Sequence, residues 1–185
     1  AQCRIRAIIK MYRKGRCWSE PEKCKRISVR EAIGDLPSIE AGERFKVKWH
    51  FARKHEKKQI ECMKNTSTGQ SAIDNLVYYP KKKNGERVSS YNTTYRRMRW
   101  EVPAPTITMR NDAISSQSNV HPGRKLPTGE FSDARVLTPL ELMLLSSLPA
   151  DWGIPDDTPE LLIRKCIGEC IPPMLIKKIV SKIDR

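Results

Sequence analysis

Residues 4–12 (RIRAIIKMY) alternate basic and apolar positions, with Ile5, Ile8 and Ile9 adding β-branched side chains, and this pattern predicts a strand with one buried face. It opens almost at residue 1, which suggests that something precedes it in a partner chain or a longer precursor. A polar connector over 14–25, broken by Gly15 and Pro21, leads to Ser28 and Glu31. These two residues have capping-box spacing and predict a short helix through Leu36, stopped by Pro37. From 39 to 100 the pattern is irregular: basic clusters alternate with polar stretches such as NTSTGQS and with the aromatic pair Tyr78 and Tyr79, so long loops and short strands are expected. Residues 106–109 suit a short strand entered from a proline-stiffened turn, and 112–132 read as loop.

The composition then changes. Thr138, Pro139 and Glu141 give a second capping box with proline at the first helical position, leading an apolar helix that ends before Pro149. A third helix is predicted over 159–166, capped by Thr158 and closed by Gly168. The last begins at Pro173, with Leu175, Ile176, Ile179, Val180 and Ile183 on one face and Lys177, Lys178 and Lys182 on the other; such a helix must pack on something. The chain has no internal repeat.

With 185 residues, the chain suffices for one ordinary domain with a real core, or for one small domain plus pieces of another. Its net charge of +14 changes the picture, because the excess is confined to one half. The first hundred residues carry 25 Lys and Arg against 10 Asp and Glu, and the remainder 10 against 11. Such asymmetry points to a polyanion-binding surface on one part of the molecule and a structural role for the other, the plain alternative being a solvated basic face.

No apolar run approaches bilayer length and no long apolar signal core opens the chain, so a cytoplasmic protein without membrane contact is expected. The six cysteines (Cys3, Cys17, Cys24, Cys62, Cys166, Cys170) form no CxxC pair and are joined by only three histidines, His50, His55 and His121, so no metal site is expected. Most of the thiols should be reduced and partly buried. His121, beside Pro122 on a loop, is given no chemistry.

Four segments in order carry a resemblance. They are Gln2, Arg4 and Arg6 as a QxRxR block, ISVREAIGDLP at 27–37, Arg135, Leu137, Thr138, Pro139 and Glu141 as an RxLTPxE block, and IGECIPP at 167–173. Each alone is a short string that recurs by chance; together, in this order, they resemble the later part of DNA (cytosine-5) methyltransferases. Two departures stand out: Ala1 occupies a usual proline, and Glu169 replaces the asparagine of the closing block.

The resemblance implies an α+β chain: a small basic target recognition domain plus C-terminal helices and one strand that complete a Rossmann-like, S-adenosylmethionine-dependent methyltransferase domain. Its parts would be 1–38 (end of the catalytic domain and connector), 39–130 (recognition domain) and 131–185 (helices returning to the catalytic domain). The implied setting is a bacterial restriction and modification system. The family's reaction flips a cytosine from the stack, attacks C6 with a cysteine thiolate and moves a methyl group to C5. Arginine suits the charge that develops on the ring, because it stays ionised and donates in a rigid fork. Arg4 and Arg6 would take that supporting catalytic role, the alternative being surface pairing with carboxylates. Glu169 and Cys170 would lie by the cofactor, while Gln2, Arg135, Thr138 and Glu141 would be structural, with Arg135 pairing a carboxylate to seat the recognition domain.

The family's nucleophile sits on a Pro-Cys pair, and no Pro-Cys occurs in this sequence. An N-terminal catalytic subunit or domain is therefore the implied partner, carrying the thiolate and most of the S-adenosylmethionine site, beside duplex DNA as substrate. Lys46, Lys48, Arg53, Lys54, Lys57, Lys58, Lys81, Lys82 and Lys83 would mostly meet phosphates. Gln70, Asn75, Asn92, Arg96, Arg97, Arg99, Arg110 and Asn111 are the types that read base edges, though for each singly a phosphate contact or an idle surface position competes. The rival reading is a non-enzymatic, sequence-specific DNA-binding module. Charge alone would also allow an RNA-binding protein. An orphan module would leave the apolar faces of Ile5, Ile8, Ile9 and the last helix uncovered.

Overall fold

The computed structural model describes residues 2–5, 7–89 and 91–183, and within them the order is α1 (Val29–Ile33), α2 (Lys57–Lys64), a 3-10 turn (Ala72–Asp74), α3 (Pro139–Leu145), α4 (Glu160–Glu169) and α5 (Pro173–Val180). Both capping boxes are formed. The Ser28 hydroxyl accepts the Glu31 amide while the Glu31 carboxylate accepts the Ser28 amide, and Thr138 and Glu141 make the same exchange at α3. Each satisfies amides that a first helical turn leaves without partners.

Three helices differ from expectation. α2 forms within the stretch read as loops, because Ile60, Cys62 and Met63 recur at helical spacing and Cys62 and Met63 are buried. α3 stops at Leu145, since Ser147 turns to φ 58° and ends the helical path. α4 has no side-chain cap at Thr158 and runs through Gly168 to Glu169. Gly168 is not a terminator: a Cβ there would stand 2.4 Å from the Thr108 carbonyl oxygen, so the glycine lets α4 lie against the backbone of 108–109.

Among the described residues neither predicted strand is formed. Among the described residues there are isolated bridges in place of strands, and over 4–12 none of the bridges falls. A period-2 pattern makes a strand only where a second strand takes up its amides, and Ile8 and Ile9 remain exposed. The most connected of the bridges tie 71 to 96, 97 to 120 and 120 to 136, and the amides of Met98, His121 and Leu137 extend that contact.

Two apolar clusters lie about these bridges. The larger joins Val29 and Ile33 of α1, Trp49, Met98, Trp100, nearly all of α3, and Ile163 and Ile167 of α4. The smaller joins Cys62 and Met63 of α2 with Ala72, Ile114, Val120, Ala134 and Val136. α3 is buried on almost every side, which explains its nearly continuous apolar sequence. No helix among the described residues is long and apolar enough to cross a membrane.

Candidate functional site

The first and last sequence blocks come together. A bridge ties Gln2 to Ala104, and the Gln2 amide donates to the Ser146 hydroxyl at 3.5 Å. Arg4 Nη1 donates to the carbonyls of Gly168 (3.2 Å) and Cys170 (3.4 Å). These contacts border a depression of about 560 Å³ walled by Gln2, Arg4, Pro103, Ser147, Cys170 and Pro172 among others. Two polar atoms here, Gln2 Oε1 and Arg4 Nε, are buried without partners. A buried polar atom costs stability unless something satisfies it, and these two find no partner among the described residues.

Cys170 lines this depression, whereas Glu169 is exposed and does not. Arg6 lies outside the described residues. Burial pushes the Cys170 thiol up, and it does the same to Cys62, so neither is poised as a thiolate. Cys3, Cys17, Cys24 and Cys166 are exposed, contrary to the expectation of partial burial for most of the thiols. No group of three or more His, Cys, Asp or Glu among the described residues could hold a metal ion.

Apolar side chains stand in water on two segments, and of these Ile171 and Met174 line the depression. Ile9 is 84% exposed and Met11 85%, and on α5 and its approach Ile171, Met174, Ile176 and Val180 are exposed as well. Of the predicted α5 face only Ile179 is buried. Trp18 binds that helix from below, its indole N–H donating to the Ile179 carbonyl at 2.8 Å.

On the basic part, the structure separates the candidates. Lys46, Lys54, Lys57, Lys58, Lys81, Lys83, Gln70, Asn92 and Arg99 are exposed. Lys48 is exposed and reaches Asp156 at 2.6 Å, Lys82 reaches Glu86 at 3.2 Å, and Arg110 lies 3.5 Å from Asp112. Half-buried Arg53 stands 3.6 Å from Glu160. Arg96 is held by the Asn92 backbone and side chain and by the Gly69 carbonyl.

Three candidates are corrected. Arg97 is 1% exposed, and its guanidinium donates to the carbonyls of Met63, His121, Phe131 and Asp133. Asn111 is also buried, donating to the carbonyls of Thr108 and Arg164 and receiving Arg164 Nη1. The Asn75 amide is spent on the Tyr78 carbonyl at 2.8 Å and the Thr66 hydroxyl at 3.0 Å. Arg97 and Asn111 are thus buried where a base-edge role calls for exposure, and the Asn75 amide nitrogen is engaged within the chain.

A buried charge cluster fixes the segment before α3. Arg135 makes a two-pronged pair with Glu141 (2.8 and 2.9 Å), a contact with Asp133 (2.8 Å), and a bond from Nε to the Ile39 carbonyl (2.7 Å). Burial opposes ionisation of Glu141, but the Arg135 charge outweighs it and holds the carboxyl at about 2. Asp133 lies well below the usual carboxylate range for a similar reason: burial is overcome by His121, Arg135 and the hydroxyls of Ser132 and Ser38. His121 does lie on a loop, but a buried one. It is 2% exposed, packs edge-on to Trp100, accepts the Gly123 amide, and is pushed by burial down to about 4. Asp133 and Arg124, which joins it at 3.3 Å, carried no motif that would have singled them out.

The family model for C-5 cytosine-specific DNA methylases matches residues 1–185. The chain is also similar to Type II methyltransferase M1.HgaI of Avibacterium volantium, with 60% identity over 182 residues, covering 98% of this chain and 51% of that protein. The chain thus spans about half the length of the curated relative it matches.

Proposed function

This chain belongs to the C-5 cytosine-specific DNA methylase family, and from that premise we propose that it is the DNA-recognising part of a cytosine-5 methyltransferase whose nucleophile resides in the other half. The single observation that carries this reading is the depression closed by Arg4 on the carbonyls of Gly168 and Cys170. It brings Gln2 and Arg4 of the first block against the closing block.

The missing chemistry is specific. No Pro-Cys occurs in the sequence, and the thiols of Cys62 and Cys170 are held protonated by burial. The exposed apolar residues on 8–12 and α5 fit a partner that buries them, and the half-length match to the relative is consistent with such a partner. That partner is the remaining half of the methyltransferase, as a separate subunit or as part of the same polypeptide.

Within the completed site Arg4 anchors the N-terminal segment, and Arg6 stabilises charge on the flipped cytosine. S-adenosylmethionine, when bound, supplies the methyl group and is held mainly by the other half. The orphaned Gln2 Oε1 and Arg4 Nε fit the margin of such a polar ligand, and Cys170 stands beside them. The exposed lysines of 46–58 and 81–83 neutralise duplex phosphates, and Gln70, Asn92, Arg99 and Arg110 remain available for base edges. A restriction and modification setting accords with the relative's Type II designation.

The test is methyl transfer from labelled S-adenosylmethionine to duplex DNA, with this chain alone and combined with the polypeptide bearing the Pro-Cys loop. Activity in the combination alone supports the proposal. Salt-sensitive duplex binding with no transfer in either would instead make the chain a DNA-binding module.

A further inference from the structure

One part of the basic surface is apolar at its tip. Leu76 is 90% exposed and Val77 72%, in a short bend between the 3-10 turn and Tyr78. The bend is braced from below. The Asn75 side chain ties the Tyr78 carbonyl to the Thr66 hydroxyl, and Arg87 donates to the Ile73 carbonyl at 2.8 Å while its guanidinium lies 3.7 Å from the Tyr79 ring centre. Beside it stands a hairpin whose Lys81 and Arg87 bridge, turned at Gly85 with φ +86°. Two apolar side chains held out rigidly in water gain nothing from this fold, so their use lies in a complex.

The surroundings indicate the chemistry of that complex. Val77 shares a depression of about 570 Å³ with Lys57, Lys58, Lys81 and Lys82, against the carboxylates of Glu56 and Glu61. Cations flanking an apolar point match a duplex, which offers phosphates on either side of a base stack. We propose that Leu76, backed by Val77, is a wedge that presses into a base step of bound DNA and kinks it while the flanking lysines hold the phosphates. This rests on the reading of the chain as the DNA-recognising part of a methyltransferase. It adds a positional mechanism: the wedge favours steps that unstack at low cost, giving preference without a hydrogen bond to any base.

The experiment uses this chain combined with the remaining half, and a duplex selected by that complex from a random pool, with dyes at its two ends. Energy transfer between the dyes reads the kink. The Leu76→Ala/Val77→Ala variant is expected to abolish the kink and weaken binding about tenfold, with the salt dependence of binding unchanged and the kink retained in Leu76→Met. A kink retained by the double-alanine variant overturns the wedge. If that variant loses association with the remaining half while still kinking DNA, the bend is a protein contact and the wedge is likewise overturned. Failure of the unsubstituted complex to select any duplex overturns the DNA-binding reading itself, a result distinguishable from the other two.

Discussion

Arg135 allows the sharpest energetic prediction. Its guanidinium and the Glu141 carboxylate are fully buried, joined by two bonds of 2.8 and 2.9 Å, and Asp133 leans on the same guanidinium. Arg135→Met keeps most of the volume and removes the charge, leaving two carboxylates in the interior. Breaking a buried pair from one side costs about 3–5 kcal/mol, a large share of the roughly 5–15 kcal/mol that holds a domain folded. The pH dependence should then invert. In the parent protein Glu141 titrates at about 2 rather than its ordinary 4.5, so its contribution is whole above pH 4.5 and is lost as pH falls through 2. In the variant the isolated carboxyl favours its proton, and the folded state gains as pH falls. Urea unfolding followed by tryptophan fluorescence at pH 7 and pH 5 should show the gap between variant and parent narrowing at the lower pH. Arg135→Met/Glu141→Leu should recover part of the loss. A deficit under about 1 kcal/mol at pH 7, or a gap that does not change with pH, would refute the reasoning.

Three further outcomes are expected. Replacing Lys81, Lys82 and Lys83 by alanine should reduce the slope of log affinity against log salt by about one unit for each phosphate no longer neutralised, read by fluorescence anisotropy over a salt series, with little change in thermal stability. Gly168→Ala should lower stability by about 1–3 kcal/mol in denaturant titration, because the new methyl would meet the Thr108 carbonyl. His121 is neutral in the fold, and burial lowers it from 6.5 to about 4. The stability it confers is therefore whole above pH 6.5 and lost as pH falls through 4, up to about 3 kcal/mol; His121→Asn should flatten that part of the stability profile.

The features legible in the sequence are those decided within a few residues. The capping boxes at Ser28 and Thr138 involve partners three positions apart, so spacing alone specifies them, and the apolar sequence of α3, interrupted only by Glu141, announces its burial. α2 is hidden because Lys57, Lys58 and Lys64 mask the helical spacing of Ile60 and Met63. Arg97 escapes a sequence reading for a deeper reason. Its partners are the main-chain carbonyls of Met63, His121, Phe131 and Asp133, which any residue could supply, so nothing in the sequence distinguishes it from Arg96 or Arg99. Only the fold brings four carbonyls to one guanidinium.

The 4–12 segment is a different kind of failure. Its alternation is a strand signal, yet among the described residues no bridge falls within it, and Ile8 and Ile9 stay in water. Alternation reports which side chains would share a face; it says nothing about where the neighbouring strand comes from. The same holds for α5, whose two-faced sequence is formed as a helix although only Ile179 of its apolar stripe is buried. In both places the pattern matches a surface absent from the described residues. The site follows the same rule: Gln2, Arg4 and Cys170 converge on one wall with two polar atoms unsatisfied, and a wall so arranged acquires meaning only from the group that closes it.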